Sequence, residues 1–248
     1  VISNTFAGES LPEFILTTLQ APALAISKTA AFALVSQITW PLFQWLGIHP
    51  TAIWGAIFGM TWDIAGNENV LGVAKHLYTT MFMNYSTIAA GTFALAPVLS
   101  ILFFSKLKQN KKITKVALAP AIFNISEPIT FGLPIILNPI YFIPFIIVQP
   151  LCFYIAVFFT KIGFIPVVCN NVPWTVPPII SGILFTGTIA GGLVQLINLV
   201  ISMAIYYPFV KIADKRELDQ MTETEKLDAV ETHSVSLLRG RKNETKIS

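Results

Sequence analysis

Charge is distributed very unevenly along this chain of 248 residues, and that distribution limits what the chain can fold into. Residues 211–248 carry 16 of the 29 charged side chains, so only 13 remain in residues 1–210. Over the whole chain 54% of residues are hydrophobic and 12% are charged, whereas an ordinary soluble domain carries roughly 25% charged residues. Residues 1–210 therefore lack the charge that a soluble surface needs. This composition predicts an integral membrane protein and excludes a self-contained soluble enzyme.

The remaining composition narrows the function classes. The net charge of +3 arises in residues 1–210, which hold 8 basic and 5 acidic side chains, and it predicts oriented membrane loops and no nucleic-acid binding. Cys152 and Cys169 lie in or beside apolar segments without Cys or His at metal-ligand spacing, so we expect neither a disulfide nor a metal site. No cofactor is implied. The N-terminus at Val1 has no initiator Met or signal-peptide pattern, and we expect that the chain begins inside a longer protein.

Apolar segments predict an all-α integral membrane fold. Residues 1–28 are expected to form an amphipathic lead-in at the membrane interface, with a soluble core helix as the alternative for 12–28. A membrane-spanning helix needs about 20 apolar residues. Residues 50–83 are less apolar and predict one span plus a partial or cavity-lining helix. The four clearest predicted spans are 29–48, 84–105, 140–160 and 187–209.

Clusters of lysines set the predicted topology. Five lysines in residues 106–115, with no acid among them, mark the cytoplasmic side, and the basic residues of 211–216 mark the same side again. The chain must cross the membrane an even number of times between the two clusters. Segments 116–139 and 164–186 are left over, each apolar but interrupted by Pro, Gly and Asn. We expect two re-entrant hairpins that line a substrate cavity, with Pro-kinked spanning helices as the alternative.

Three polar or amphipathic side chains in this predicted arrangement are candidates for function. Glu127 is the only formally charged residue between Lys115 and Lys161, and a carboxylate in apolar surroundings predicts a functional site, although it can also cap a short helix. His49 follows the first span and can offer a donor and an acceptor to a hydroxylated ligand, or it is an interfacial histidine. Trp174 presents an indole face suited to a sugar ring, or it anchors the chain at the interface.

The residues around these side chains resemble a known family. The sequence Asn124-Ile-Ser-Glu127-Pro-Ile-Thr-Phe-Gly-Leu-Pro-Ile-Ile-Leu-Asn-Pro139 lies between Gly47-Ile48-His49 and Pro173-Trp174-Thr-Val-Pro-Pro178. These three ordered motifs are similar to those of the lactose/cellobiose family of enzyme IIC, the membrane permease component of the bacterial sugar phosphotransferase system (PTS). The resemblance extends from about residue 10 to residue 210. Pro50, where the family usually has Gly, departs from the pattern.

The resemblance implies a function and partners. The chain is expected to be the C-terminal, substrate-binding half of a plasma-membrane permease that forms a homodimer through a missing N-terminal half. Its implied substrate is a sugar, namely a β-linked disaccharide such as cellobiose or lactose, which is phosphorylated by a separate IIB protein that IIA has itself phosphorylated. His49 and Glu127 are implied as catalytic and sugar-contacting residues. Asn124 and Ser126 are implied as hydrogen-bond partners of the sugar, and Trp174 as a platform for its ring.

Two alternatives come from other classes of protein. An ion-coupled secondary sugar transporter uses the same broken helices and buried acid, and uptake without IIB distinguishes it. An inactive, truncated permease-like scaffold would bind no sugar. The predicted domains are the lead-in 1–28, the transmembrane sugar-binding domain 29–210 and the charged cytoplasmic tail 211–248. We expect the tail to be helical near 214–231 and otherwise disordered.

Overall fold

The computed structural model describes residue 26, residues 29–133 and residues 135–244, with side chains described as far as residue 221 except that of residue 52. The predicted interfacial helix over 12–28 thus lies almost wholly outside the described residues. All regular elements within the described ranges are helical, as the composition predicts, and no β-strand occurs in them. In chain order the helices and two π-helical turns are α1 (Ala30–Trp45), α2 (Thr51–Trp54), π1 (Gly55–Gly59), α3 (Met60–Val70), α4 (Thr80–Met83), π2 (Asn84–Ile88), α5 (Leu95–Phe104), α6 (Lys108–Ile122), α7 (Glu127–Gly132), α8 (Pro139–Lys161), α9 (Ile180–Thr186) and α10 (Ile189–Glu244).

Two helices of the described ranges are long and apolar enough to cross a membrane. They are α8 and the part of α10 from Ile189 to Met221, and they match the predicted spans 140–160 and 187–209. Helix α1 occupies the predicted span 29–48 with 16 residues. Its first turn is fixed by Thr29, whose Oγ1 accepts a hydrogen bond from the backbone N–H of Phe32 at 3.2 Å.

The prediction of one continuous span over 84–105 is wrong. This segment begins as π2, passes through a non-helical turn and becomes helical again only in α5. Gly91 lies in the turn with φ of +72°, and an added Cβ there would come within 3.0 Å of Leu95 and Pro178. The break thus depends on a positive φ and a close approach that glycine allows. The apolar composition, which predicts helical spans, contains no signal for either.

Amides on α10 cover the backbone of π2. Gln195 Nε2 donates to the carbonyl oxygen of Tyr85 at 2.8 Å, and Asn198 Nδ2 donates to that of Ser86 at 2.9 Å. Both amides are fully buried. Irregular backbone at membrane depth is tolerated only where protein covers its polar groups or water reaches them. Gln195 and Asn198 therefore allow π2 to exist inside an apolar structure.

The two lysine-rich regions lie next to each other in the fold. Lys211 Nζ donates to the carbonyl oxygen of Phe104 at 2.6 Å. Asp214, which is buried, accepts hydrogen bonds from Ser105 Oγ at 2.8 Å and from the backbone N–H of Lys106 at 2.5 Å. These contacts join α10 to the α5–α6 connection, so both basic clusters occupy one end of the helical assembly, as the predicted topology requires.

Helix α10 extends further than the sequence predicts. It continues through residues 232–244, so the expectation of disorder outside 214–231 is wrong for that stretch. No proline follows Pro208 within the helix, and the stretch contains two Leu, two Arg and a Lys in residues 237–242, which favour helices.

The two interrupted segments are only partly helical, and they contain the three non-glycine residues with positive φ in the described ranges. In 116–139, α6 ends at Ile122, α7 follows after a turn, and Asn124 and Leu137 have positive φ values of 63° and 57°. In 164–186, residues 164–179 form no helix, and Ile179, at φ of 73°, precedes α9. Both segments lead into the cavity described next.

Candidate sugar-binding site

A cavity of about 490 Å³ lies among the helices and is lined by seven parts of the chain. Its walls come from α1, the α1–α2 connection, the face that runs from α2 to α3, the α4–π2 segment, the turn before α5, the start of α7 with the turn before it, and the loop before α9. All five side chains selected from the sequence line this cavity. They are His49, Asn124, Ser126, Glu127 and Trp174.

Glu127 stands at the first position of α7, directly before Pro128. Its side chain is exposed to the cavity, and no ion-pair partner for it is found among the described side chains. Ser126 precedes it and is held by α1, because Gln44 Nε2 donates to Ser126 Oγ at 3.1 Å. Proline at the start of a helix fixes the backbone where no N–H is needed. The carboxylate is therefore placed on a rigid turn and remains available to a ligand.

His49 lies at the α1–α2 connection, after Gly47 with its φ of +79°. Its Nδ1 is 2.9 Å from the hydroxyl of Thr51. When that hydroxyl donates to Nδ1, Nε2 carries the ring proton and becomes a donor for a ligand. Pro50 is buried, and its carbonyl oxygen accepts from the N–H of Trp54 at 2.7 Å, so this proline starts α2 without loss of a hydrogen bond.

Asn124 connects the two interrupted segments. Its Nδ2 donates to the carbonyl oxygens of Trp174 at 2.8 Å and Val176 at 3.0 Å. Its positive φ is one that Asn tolerates better than most residues. Both N–H donors of the amide are therefore used within the protein, and only Oδ1, which has no hydrogen-bond partner in the structure, is left over. Trp174 itself is 46% exposed and contributes its side chain to the cavity wall.

Several cavity residues were not selected from the sequence. Asp63 and Asn84 add polar groups, and Thr80 adds a buried hydroxyl that has no hydrogen-bond partner in the structure. Trp40 and Trp54 add an aromatic pair with ring centroids 5.2 Å apart. The sequence holds one signal for part of this set, because Asp63 follows Thr51, Gly55 and Gly59 at intervals of four residues, which places all of them on one helix face.

The charges of the cavity favour neutral ligands. Asp63 and Glu127 contribute carboxylates, His49 contributes an imidazole, and no Lys or Arg lines the cavity among the described residues. An anionic ligand would meet two acids without a cation to pair with. No group of three or more metal-ligating side chains occurs in the described ranges either. Aromatic faces together with hydroxyl, amide and carboxylate groups are suited to a neutral polyhydroxylated molecule.

Comparison with known proteins gives the family. The model of the family "Phosphotransferase system, EIIC" matches residues 2–148, which is more than half of the chain. The chain therefore belongs to the EIIC family of the phosphotransferase system, as the three motifs indicate.

Individual relatives are similar over most of the chain. The oligo-beta-mannoside-specific EIIC component of Bacillus subtilis (strain 168) is 32% identical over 90% of this chain and 52% of its own length. The cellobiose-specific EIIC component of Geobacillus stearothermophilus is 34% identical over 92% of this chain and 53% of its own length. The chain thus spans about half the length of these curated relatives. The lactose-specific EIICB component of Staphylococcus aureus (strain N315) is 33% identical over 72% of this chain and 33% of its own length.

A solved structure shares the fold. The crystal structure of the transporter ChbC, the IIC component of the N,N'-diacetylchitobiose-specific phosphotransferase system, superposes with a TM-score of 0.76. It is 30% identical in sequence, and the match covers 89% of this chain and 52% of that one. The all-helical architecture is therefore that of an EIIC transporter.

Proposed function

We propose that this chain forms the sugar-binding part of a PTS permease that moves a disaccharide across the bacterial plasma membrane and presents it for phosphorylation by IIB. The observation that carries the proposal is the cavity, because five side chains from three separate motifs line one space. Its volume of about 490 Å³ lies within the range of about 300–1,000 Å³ that is usual for small-molecule sites.

The class of sugar follows from the cavity and the relatives together. Relatives of the chain are named for oligo-beta-mannoside, cellobiose, lactose and N,N'-diacetylchitobiose. We therefore propose a β-linked disaccharide, with cellobiose or lactose as the first sugars to test. The two acids favour the neutral sugar over its phosphorylated product, and this difference in charge promotes release of the product once phosphorylation has occurred.

Glu127 and His49 are proposed to act on the hydroxyl that receives the phosphoryl group. The oxygen of the sugar's 6-hydroxyl attacks the phosphorus held on a cysteine of IIB, the new O–P bond forms as the S–P bond breaks, and Glu127 accepts the hydroxyl proton. His49, oriented through Thr51, donates from Nε2 to the same hydroxyl and fixes its direction. Trp174 is proposed to pack its indole face against a sugar ring.

The membrane topology is part of the same proposal. Segments 116–139 and 164–186 are proposed to be re-entrant hairpins, and the C-terminus to be cytoplasmic. Their irregular backbone, their joint contribution to the cavity and the link from Asn124 to Trp174 support this arrangement. The adjacent lysine-rich regions support a cytoplasmic position for that end of the molecule. The family resemblance carries the further proposal that the permease works as a homodimer.

The test is phosphorylation in a defined system. The protein is reconstituted in vesicles, supplied with cellobiose or lactose, and given IIB that has been phosphorylated through IIA. The proposal predicts sugar phosphate that depends on all three proteins. Uptake of free sugar that continues without phosphorylated IIB would contradict it and favour an ion-coupled transporter, and absence of sugar binding would favour an inactive scaffold.

A further inference from the structure

One wall of the cavity is built by a single helical face that lies outside the three family motifs. Thr51, Gly55, Gly59 and Asp63 follow each other at intervals of four residues and all line the cavity. The π-helical turn π1, Gly55–Gly59, lies in the middle of this face. Turns of this kind occur often at functional sites because they change which side chains a helix presents.

The glycines leave this wall bare. A Cβ added to Gly55 would meet no atom within 4 Å, so it would extend into open space. A Cβ added to Gly59 would lie 3.9 Å from Oδ2 of Asp63. Cζ3 of Trp54 lies 3.9 Å from the same point. The carboxylate therefore adjoins a strip of cavity wall where the two glycines carry no side chain, beside the Trp54 ring, and where the ring of a ligand can approach closely.

Asp63 is an acid without a protein partner in the described part of the chain. Its side chain is exposed to the cavity, and it takes part in no ion pair among the described residues. Glu68, five residues further along the same helix, differs because it pairs with His76. A carboxylate inside a membrane protein is unfavourable unless it meets water or a polar ligand. Asp63, like Glu127, thus has no ion-pair partner among the described residues.

The helix separates Asp63 from the reacting end of the site. Asp63 follows Thr51 by twelve positions, a rise of about 18 Å at about 1.5 Å per residue. Thr51 contacts His49 directly, so His49 marks one end of the face and Asp63 the other. One sugar ring cannot extend from one end to the other. A ligand that engages both ends must contain at least two rings.

We infer that Asp63 is a specificity-determining residue that accepts hydrogen bonds from hydroxyls of the sugar ring that is not phosphorylated. This inference rests on the proposed function and assigns the second ring of the disaccharide to the Gly55–Gly59 wall. A carboxylate offers two acceptor oxygens, which matches the paired hydroxyls of a pyranose. Asp63 holds substrate and takes no part in the proton transfer at the other ring.

The inference predicts that binding and turnover respond differently to substitution at this position. Asp63→Ala is expected to raise the Kd of cellobiose or lactose by about tenfold or more, since hydrogen bonds to a charged group are among the stronger ones. The kcat of phosphorylation at saturating sugar is expected to stay near that of the wild type. Asp63→Asn, which keeps the shape and one acceptor, is expected to give a smaller rise in Kd.

The measurements are equilibrium binding and IIB-dependent phosphorylation by the reconstituted protein, with Glu68→Gln as the matched control on the same helix segment. Thermal unfolding of each variant establishes that it is folded. An unchanged Kd in both folded Asp63 variants overturns the inference, and so does a fall in kcat as large as that of Glu127→Gln. A wild-type protein that binds neither sugar contradicts the proposed function as well. Failure of the proposed function is therefore distinguishable from failure of the Asp63 inference alone.

Discussion

Asn124 offers a sharp test of how the site is built, because the structure uses its amide to hold Trp174 in place. Asn124→Asp keeps the size of the side chain and its tolerance of positive φ but removes both N–H donors. The two hydrogen bonds contribute about 1 kcal/mol each. Their loss therefore destabilises the loop conformation that holds Trp174 by about 2 kcal/mol, or about 30-fold in the equilibrium constant for that conformation. The new carboxylate also faces the carbonyl oxygens of Trp174 and Val176, which is repulsive.

The expected loss of sugar affinity has an upper limit. If Asn124 acts only by positioning Trp174, its substitution cannot weaken binding more than Trp174→Ala does, and that substitution removes a stacking surface of about 1–3 kcal/mol. We expect Asn124→Asp to lower affinity by about 5- to 30-fold. Hydrogen exchange of the backbone in residues 172–179 should become faster in the same variant.

A double-mutant cycle decides between positioning and direct contact. Equilibrium binding of cellobiose or lactose is measured for the wild type, Asn124→Asp, Trp174→Ala and the double variant. Asn124→Asp should have less than about a twofold further effect once Trp174 is gone. An equal fold-loss in both backgrounds would refute the reasoning and show that Asn124 contacts the sugar itself. Asn170→Asp is the matched control, because Asn170 lies in the same loop, donates to the carbonyl oxygen of Leu184 and does not line the cavity.

Two further predictions concern packing and topology. Gly191→Ala places a Cβ 2.0 Å from Thr186 Oγ1 and 2.4 Å from a backbone oxygen, so it should lower the free energy of unfolding by at least about 1–3 kcal/mol. Gly55→Ala is the control, because its Cβ meets nothing within 4 Å and should leave the free energy of unfolding unchanged. Equal unfolding temperatures of the two variants would contradict the close α9–α10 packing. Cysteines introduced at the exposed positions Lys112 and Lys215 should react with an impermeant reagent from the cytoplasm only, and one at Lys161 from the other side only. Labelling of the first two from opposite sides would rule out paired re-entrant hairpins.

The sequence predicts a part of the polar lining of the cavity, because some of these residues are conspicuous in an apolar chain, but it does not single out Asp63, Thr80 or Asn84. Glu127 is the one acid in a long uncharged stretch, and the motifs around His49 and Trp174 resemble those of a family. Each of these three side chains lines the cavity. The sequence also predicts the long helices α8 and α10, since their apolar runs reach the length that a membrane span needs.

Other features depend on contacts that no local pattern encodes. The break in 84–105 requires Gly91 to approach Pro178, and π2 requires Gln195 and Asn198 to cover carbonyl oxygens more than a hundred residues earlier in the chain. The contacts of Asn124 are of the same kind. Its resemblance to a family motif implies contact with the sugar, and the structure adds that its N–H donors are satisfied by a loop 50 residues away, while Oδ1 has no hydrogen-bond partner. Such partners become visible only once the segments are packed together.

The central claim is that Glu127 is the group that takes the hydroxyl proton, and Glu127→Gln tests it most directly. The amide keeps the shape and hydrogen-bonding capacity of the side chain but cannot act as a base at neutral pH. Sugar phosphate formed with phosphorylated IIB and equilibrium binding of the same sugar are measured side by side on the reconstituted protein. We expect phosphorylation to fall by about 100-fold or more while the Kd changes by less than about tenfold. A parallel decline of both phosphorylation and binding, or turnover that is nearly intact, would contradict the assignment.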